Sequence, residues 1–594
     1  MMLSAGAHGP LMTLTGVDYA IIAAYFVISL VIGLLFSKRA GKSVEEYFIS
    51  GRSLPWWLAG TSMVATTFAA DTPLAVTGLV ITKGIAGNWL WWSFVLGGML
   101  TVFIYARMWR RAEVITDVEL IDLRYSGKPA KLLRGFRALY LALPINCLII
   151  GWVISAIVKV LSICLGVDEW TILLISVGVT AVYCVISGFW GIAVTDFFQF
   201  WLAMAGCIAL AVMSLNHIGG MSVLMDGLSA KYGHDNIFNF VPNFQTSKDW
   251  MPLEAFIIFI GVIWWASWYP GAEPGGGGYV VQRMASCKDE KHCVWATLWF
   301  QIAHYGLRPW PWIIVALCAL YMFPELRQPG VDADAGYPLV MVKVLTPGMK
   351  GLLLVTFFAA FMSTLSTHLN WGASYIVNDF YRPFIKPDAA PEHYTKVSRL
   401  STVAIVVLGV VVSRHITEIA QAWKIMLTLG AGTGMVFMLR WFWWRINAWA
   451  EISAMVASFA IGTAFMFVPS SIPDYYQIVV TAFLSIGIWW TVMLLTPPEP
   501  DEKLCAFYTK VRPGGPGWQP IRAKLPQVQT DTHLGLLIVV ALIASAMVYC
   551  ILFGFGKILF GLTGQGSFLL AAAAVCGLLV HLIISKIGWS QITR

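Results

Sequence analysis

Charge is what this chain has least of. Asp, Glu, Lys and Arg make up 12% of its 594 residues, where a soluble globular chain carries roughly 25%. A soluble enzyme of ordinary composition is thereby excluded. Paired cysteines are also lacking. Most of the ten lie inside apolar runs (Cys147, Cys164, Cys184, Cys207, Cys318, Cys550, Cys576), so no disulfide framework is implied. No basic region precedes the first apolar run, Val17 to Phe36, which is too long for a signal-peptide core and is followed by Lys38 and Arg39. It reads as a retained helix. No nucleophile stands beside a base, so an enzyme is not expected, nor is an organic cofactor. Gly41-Lys42-Ser43 lacks the earlier glycine of a phosphate loop, whose place falls on Phe36. Cys287, His292 and Cys293 lack the second ligand pair of a zinc site. The net charge of +8 does not imply a nucleic-acid partner, because in a membrane chain excess Lys and Arg first report orientation.

What is present is apolar length. Hydrophobic residues make up 58% of the chain, and at roughly 20 residues per crossing of a 30 Å hydrocarbon core they supply about fifteen transmembrane helices. The expected class is an all-α polytopic membrane protein in the lipid bilayer of the cell (plasma or inner) membrane. The segment before the first helix has no basic residue, whereas Lys38, Arg39, Lys42 and Arg52 follow it. Clusters at Arg107 to Arg137 and Lys503 to Lys524 fall on the same side, which predicts an outside N-terminus and a cytoplasmic C-terminus.

Three predicted helices are interrupted, which a bilayer tolerates where freed backbone groups line a cavity or meet protein. One carries Thr66-Thr67-Phe68-Ala69-Ala70-Asp71-Thr72-Pro73. Another ends in Trp268-Tyr269-Pro270-Gly271-Ala272-Glu273-Pro274 and four glycines. A third contains Arg308-Pro309-Trp310-Pro311. The first two breaks lie five helices apart, the pattern of an inverted-repeat secondary transporter. The expected organisation is an N-terminal helix and loop (1–53), a first repeat (54–216), an extracellular loop (217–250), a second repeat (251–442), two added helices (443–496), a cytoplasmic loop (497–532) and a C-terminal helix pair (533–594).

Val17-Asp18-Tyr19, Glu46-Tyr47-Phe48, Gly51-Arg52-Ser53-Leu54-Pro55-Trp56-Trp57, Thr195-Asp196, Gln282-Arg283, Gly336-Tyr337-Pro338 and the run Ala360 to Thr367 together resemble the sodium:solute symporter family. The resemblance covers roughly residues 17 to 468. It implies a five-plus-five inverted-repeat core with alternating access driven by sodium, the coupling ion. Ala360, Ser363 and Thr364 share a helical face by their i, i+3, i+4 spacing. By the resemblance they form sodium site one with the carbonyls of Ala65 and Phe68.

Ser363, Ser366 and Thr367 form a second stripe. Counting 1.5 Å per residue in from either face, these hydroxyls and Asp196 fall at nearly the same depth of a roughly 30 Å core. Some family members carry a second sodium site of matching residues, so Asp196, Ser363, Ser366 and Thr367 are its expected ligands here. Two sodium ions per cycle are expected, enough with a neutral solute for on the order of a thousandfold accumulation from voltage alone. Two other readings of these residues remain: hydroxyl stripes also pack helices together, and Asp196 can pair with a nearby base.

In the solute pocket the resemblance to the family's sugar carriers thins. Positions where those carriers place sugar-binding side chains are here Thr72, the Leu90-Trp91 region, about Ser267, about Gln301, and Met426. A sugar's hydroxyls would be left unpaired among such residues. Asp71, Glu273 and Arg308, with His304 one turn before it, are charges in apolar surroundings. Tryptophans including Trp91 and Trp268 crowd them, and an indole face holds a cation. Asp71, Thr72, Trp91, Trp268, Glu273, His304, Arg308 and Met426 therefore outline a pocket for a small zwitterionic or charged organic solute. Alternatively Arg308 forms a fixed ion pair with Asp71 or Glu273, and the tryptophans face lipid. The expected function is sodium-coupled solute import by a functional monomer. A proton-coupled carrier and a non-transporting sensor on the same scaffold are the rivals.

Overall fold

The computed structural model describes residues 12–40, 43–265, 275–416, 423, 426, 430–468, 470–531 and 533–587. Among them there is no β-strand, and an isolated parallel bridge joins Leu54 to Cys287. In chain order the helices that build the core are α1 (Gly16–Ala40), α2 (Trp56–Thr67), α3 (Asp71–Lys83), α4 (Ile85–Ala112), α5 (Gly127–Leu165), α6 (Glu169–Val185) and α7 (Ser187–Ile218). Then come α8 (Leu253–Gly261), α9 (Gly278–Ser286), α10 (Glu290–Gln301), α11 (Pro309–Met322), α12 (Met349–Ser374) and α13 (Pro391–Ser413). They are followed by α14 (Gly434–Phe442), α15 (Ala448–Phe467), α16 (Asp474–Leu495), α17 (Asp501–Val511), α18 (Leu534–Leu559) and α19 (Thr563–Ile587).

Ten of the described helices are long and apolar enough to cross a membrane, or eleven if the bent pair α2–α3 is one span. The expected fifteen are not confirmed by this count: some expected spans are assembled from shorter pieces and others run into residues outside those described. The expected Val294–Phe323 helix is α10, a π-helical stretch Ile302–Leu307, and α11, which starts on Pro309. Proline suits a first turn, where its missing N–H costs nothing. The joint of α6 and α7 turns on Gly188, whose φ of 58° is left-handed.

Helix α12 is the axis of the molecule. Its most apolar stretch is 94% buried, against 17% for α1 and α19 at the periphery. Helices α1, α2, α5, α7 and α13 surround it. In lipid, apolar area alone does not drive helices together, so close approach and polar bonds must. At the start of α12, the Asp18 carboxylate accepts from the amides of Gly348 (2.8 Å) and Gly351 (2.7 Å), and from Thr15 in its own first turn. Two amides at the head of α12 that no helical carbonyl would reach are thereby satisfied. Gly351 is required there, since a Cβ would stand 2.7 Å from the Asp18 backbone.

The arginines read from the sequence as loop charges are largely buried and paired. Arg107 and Arg111 hold Asp531 at 3.1 and 3.2 Å, and Arg111 also holds Glu290 at 3.0 Å. Arg137 bridges Asp117 (3.2 Å) and Glu451 (3.5 Å), Arg440 reaches Glu451 (3.3 Å), and Arg134 pairs with Asp379 (2.9 Å) and Asp122. The 497–531 stretch is part of this hub. The Trp518 indole donates to the Trp441 carbonyl at 2.8 Å, and its ring lies under the Arg124 guanidinium at 5.0 Å.

Candidate functional site

The site begins where α2 stops. After Thr67 the backbone leaves the helix at Phe68 (φ −93°, ψ 67°), and α3 departs at 56° to α2. The break takes the Ala65 and Thr66 carbonyls out of the regular helical ladder, although that of Ala65 still accepts the Phe68 amide at 3.0 Å, and α12 presents hydroxyls to them. Ser363 Oγ donates to the Ala65 carbonyl at 3.1 Å and Thr364 Oγ1 to the Thr66 carbonyl at 2.9 Å. Each hydroxyl also lies 3.1 Å from the Ala360 carbonyl on its own helix. Each therefore has two alternative acceptors and a lone pair that faces α2 when its proton turns back to Ala360. Ala65, Ala360, Ser363 and Thr364, four of the five residues expected at sodium site one, thus meet directly. Phe68, the fifth, is the break itself and packs its ring edge on Trp312 at 4.8 Å. Thr66 was not among the expected residues. Its carbonyl faces Thr364, and its hydroxyl lies 3.0 Å from that of Thr367.

One turn further along α12 the expected second cluster holds a guanidinium. Arg283, on α9, donates from Nη2 to Thr367 Oγ1 at 2.6 Å and lies 3.4 Å from Asp196 Oδ2. Its Nε reaches Ser62 Oγ (3.1 Å), which itself donates to Asp196 Oδ2 (2.5 Å), and its Nη1 reaches Gln282 Oε1 (3.0 Å). Of the four residues expected there, Ser366 Oγ turns back to the Ser363 carbonyl (3.3 Å) and Ser363 Oγ to those of Ala65 and Ala360, whereas Thr367 and Asp196 are bridged by Arg283. An intramembrane carboxylate requires such a partner. In the sequence Arg283 stood out as a family match without a role. The signal that could have singled it out was a lone base in a short apolar helix, opposite an aspartate in need of one.

On the other side of the break a cavity is lined by α3, α4, α10 and the π-helical segment, with Trp152 of α5 and Tyr279 and Val280 of α9. Asp71, Thr72, Trp91, His304 and Arg308 line it, as expected. Arg308 is clamped: Nη1 donates to Thr67 Oγ1 (3.0 Å), Nε to the His304 carbonyl (3.2 Å) and Nη2 to His304 Nε2 (3.2 Å). Because a guanidinium only donates, His304 Nε2 accepts, and its Nδ1 carries the proton that meets Thr67 Oγ1 at 3.1 Å. Arg308 thus ties the π-helical segment to the end of α2. The Trp91 ring stacks on Tyr305 (5.7 Å) and lies 6.0 Å from the guanidinium carbon.

Two acceptors in this cavity have no partner of their own. Asp71 Oδ1 and Gln301 Oε1 are both buried without a hydrogen bond, a state that costs free energy until a donor arrives. Gln301 was noted in the sequence only as a position where sugar carriers differ. Its place is kept by Gly98, where a Cβ would stand 2.1 Å from Gln301 Oε1. Met426 is buried, but the lining residue in its neighbourhood is Trp423. Trp268 and Glu273 lie outside the described residues. Of the second break, Gly275, Gly276 and Gly278 have positive φ, and the Trp109 indole donates to the Gly275 carbonyl at 2.6 Å.

The chain is similar to proteins that move solutes with sodium. It is 25% identical over 518 residues to a sodium/glucose cotransporter of Vibrio parahaemolyticus, covering 82% of this chain and 92% of that one. It is 24% identical to a sodium/mannose cotransporter of Bos taurus over 77% of this chain and 80% of the relative. A solved structure of a Na+-coupled sialic acid symporter in a substrate-bound outward-open state superposes with a TM-score of 0.67 at 20% identity, over 82% of this chain and 99% of that chain. The fold is therefore that of the five-plus-five inverted-repeat transporters. The sodium:solute symporter family model matches residues 47–458, and the chain belongs to that family.

Proposed function

We propose that this protein imports a small zwitterionic organic solute together with sodium, by alternating access, with its N-terminus outside and the repeats at 54–216 and 251–442 moving against each other. The observation that carries the sodium reading is the meeting of Ser363 and Thr364 with the carbonyls of Ala65 and Thr66 at the break. Sodium is a hard cation that takes oxygen ligands. It enters as both hydroxyls swing their protons to Ala360 and turn lone pairs to α2, with Ala65 and Phe68 adding carbonyls. By joining α2 to α12, the ion holds the break in one geometry. Across the break, Asp71 and Gln301 then meet the solute.

The solute reading rests on the charges around the cavity. Asp71 Oδ1 and Gln301 Oε1 offer acceptors to an ammonium, Arg308 offers a cation to an acidic group, and Trp91 and Tyr305 offer a stacking wall. A zwitterion satisfies both signs with no net charge to bury. The test is initial-rate uptake into proteoliposomes of amino acids, betaines, carboxylates, sugars and nucleobases, with sodium outside or replaced by choline or potassium. Uptake of a zwitterion that needs sodium is expected. Uptake indifferent to sodium but driven by a pH gradient would replace this reading with proton coupling, and binding without uptake would replace it with a sensor.

A further inference from the structure

We infer that the solute's cationic end is an ammonium with N–H donors, as in an amino acid, and that the corresponding quaternary betaine binds far more weakly. The inference rests on the zwitterion reading of the cavity and narrows it. Its own ground is the hydrogen-bonding inventory of the wall. The Trp91 indole already donates to Asn88 Oδ1 (2.9 Å), Thr72 Oγ1 to the Thr67 carbonyl (3.4 Å) and Thr101 Oγ1 to the Gly97 carbonyl (3.0 Å). Thr67 Oγ1 spends its proton on the Val64 carbonyl (3.0 Å) and meets the protons of Arg308 and His304. A hydroxyl whose proton is spent still offers lone pairs. What these threonines have left is acceptance, and Asp71 Oδ1 and Gln301 Oε1 add two acceptors that are buried and have no donor.

The rings of the wall do not make this choice. Trp91, Trp152, Phe300 and Tyr305 line the cavity, and an aromatic face attracts a methylated ammonium as well as a protonated one. The choice falls to the acceptors. A primary ammonium brings Asp71 both the countercharge that an intramembrane carboxylate needs and a proton to bond, with further N–H groups left for Gln301 and the threonine oxygens. A trimethylammonium brings charge alone. Its methyl groups displace water from Asp71 Oδ1 and Gln301 Oε1 and give no donor in return, which is the costly way to fill a polar site. A missing hydrogen bond to a charged group corresponds to about ten- to hundredfold in affinity.

The test is thermal stabilisation of the purified full chain in sodium, titrated with the standard amino acids, their N-methyl, N,N-dimethyl and fully methylated betaine forms, and with ethanolamine and choline. At least one amino acid is expected to bind about ten- to hundredfold more tightly than its own betaine, with the partly methylated forms in between as N–H groups are lost. Asp71→Asn should shrink that ratio several-fold, whereas a penalty for bulk alone would persist in the variant. A betaine that binds as tightly as its parent overturns the inference and leaves the zwitterion reading standing. So does a ratio unchanged in folded Asp71→Asn. Should that variant fail to fold, the methylation series decides: stepwise loss supports the inference, and a single drop at the last methyl overturns it. Ethanolamine bound in preference to choline, with no amino acid bound, supports the inference and sinks the zwitterion reading. Choline preferred with no zwitterion bound, or no nitrogen cation bound at all, overturns both.

Discussion

Asp71 and Asp196 are both buried aspartates beside the same broken helix, but they are treated differently. Asp196 lies in a closed network in which Arg283, Ser62 and Thr367 meet charge with charge. Asp71 opens on a cavity with one carboxylate oxygen unpartnered, and the arginine there is clamped by Thr67 and His304. A buried charge that is already paired serves architecture or sets a fixed potential. One that still lacks a donor is available to a guest.

The largest effect that separates them is on stability. Asp196→Asn leaves Arg283 buried without its acid, a change that costs about 3–5 kcal/mol, and should sharply lower the detergent Tm. The double variant Asp196→Asn/Arg283→Gln should recover much of it. An unchanged Tm in the single variant breaks the comparison. Asp71→Asn should leave Tm nearly intact yet lower solute kcat/KM about ten- to hundredfold, the roughly 1.5–3 kcal/mol of a hydrogen bond to a charged group. Wild-type uptake by that variant would make Asp71 architectural as well.

Smaller effects sharpen the division between ion and solute. Ser363→Ala should raise the sodium concentration for half-maximal uptake on the order of tenfold, about 1.4 kcal/mol, with solute KM at saturating sodium little changed. A larger shift in solute KM than in sodium dependence would move Ser363 to the solute side. Gly98→Ala places a methyl against Gln301 Oε1 and should raise solute KM several-fold while leaving sodium half-saturation alone. Equal shifts in both would mean that Gln301 serves the helix packing instead.

What could be read from the sequence was local. The α2 break was legible because polar residues and Pro73 interrupt an apolar run, and the α12 stripe because i, i+3, i+4 spacing fixes a face without knowledge of the fold. Arg283 was not, because its acid lies 87 residues away and its hydroxyl partner Thr367 84 residues away. The ion pairs of the loop arginines were out of reach for the same reason. Arg107 and Arg111, at the end of α4, meet Asp531 only in the fold. Glu451 likewise reaches Arg137 only when α15 packs on α5.

The doubled choice of acceptor at Ser363 and Thr364 also bears on the half of the cycle in which nothing is carried. A symporter must return empty, and an unloaded cation site is usually a cluster of oxygens repelling one another. Here each hydroxyl can close the gap by donating across to Ala65 or Thr66. The hydroxyls of the proposed sodium site thus stay paired when no ion is bound, so that they do not delay the return stroke.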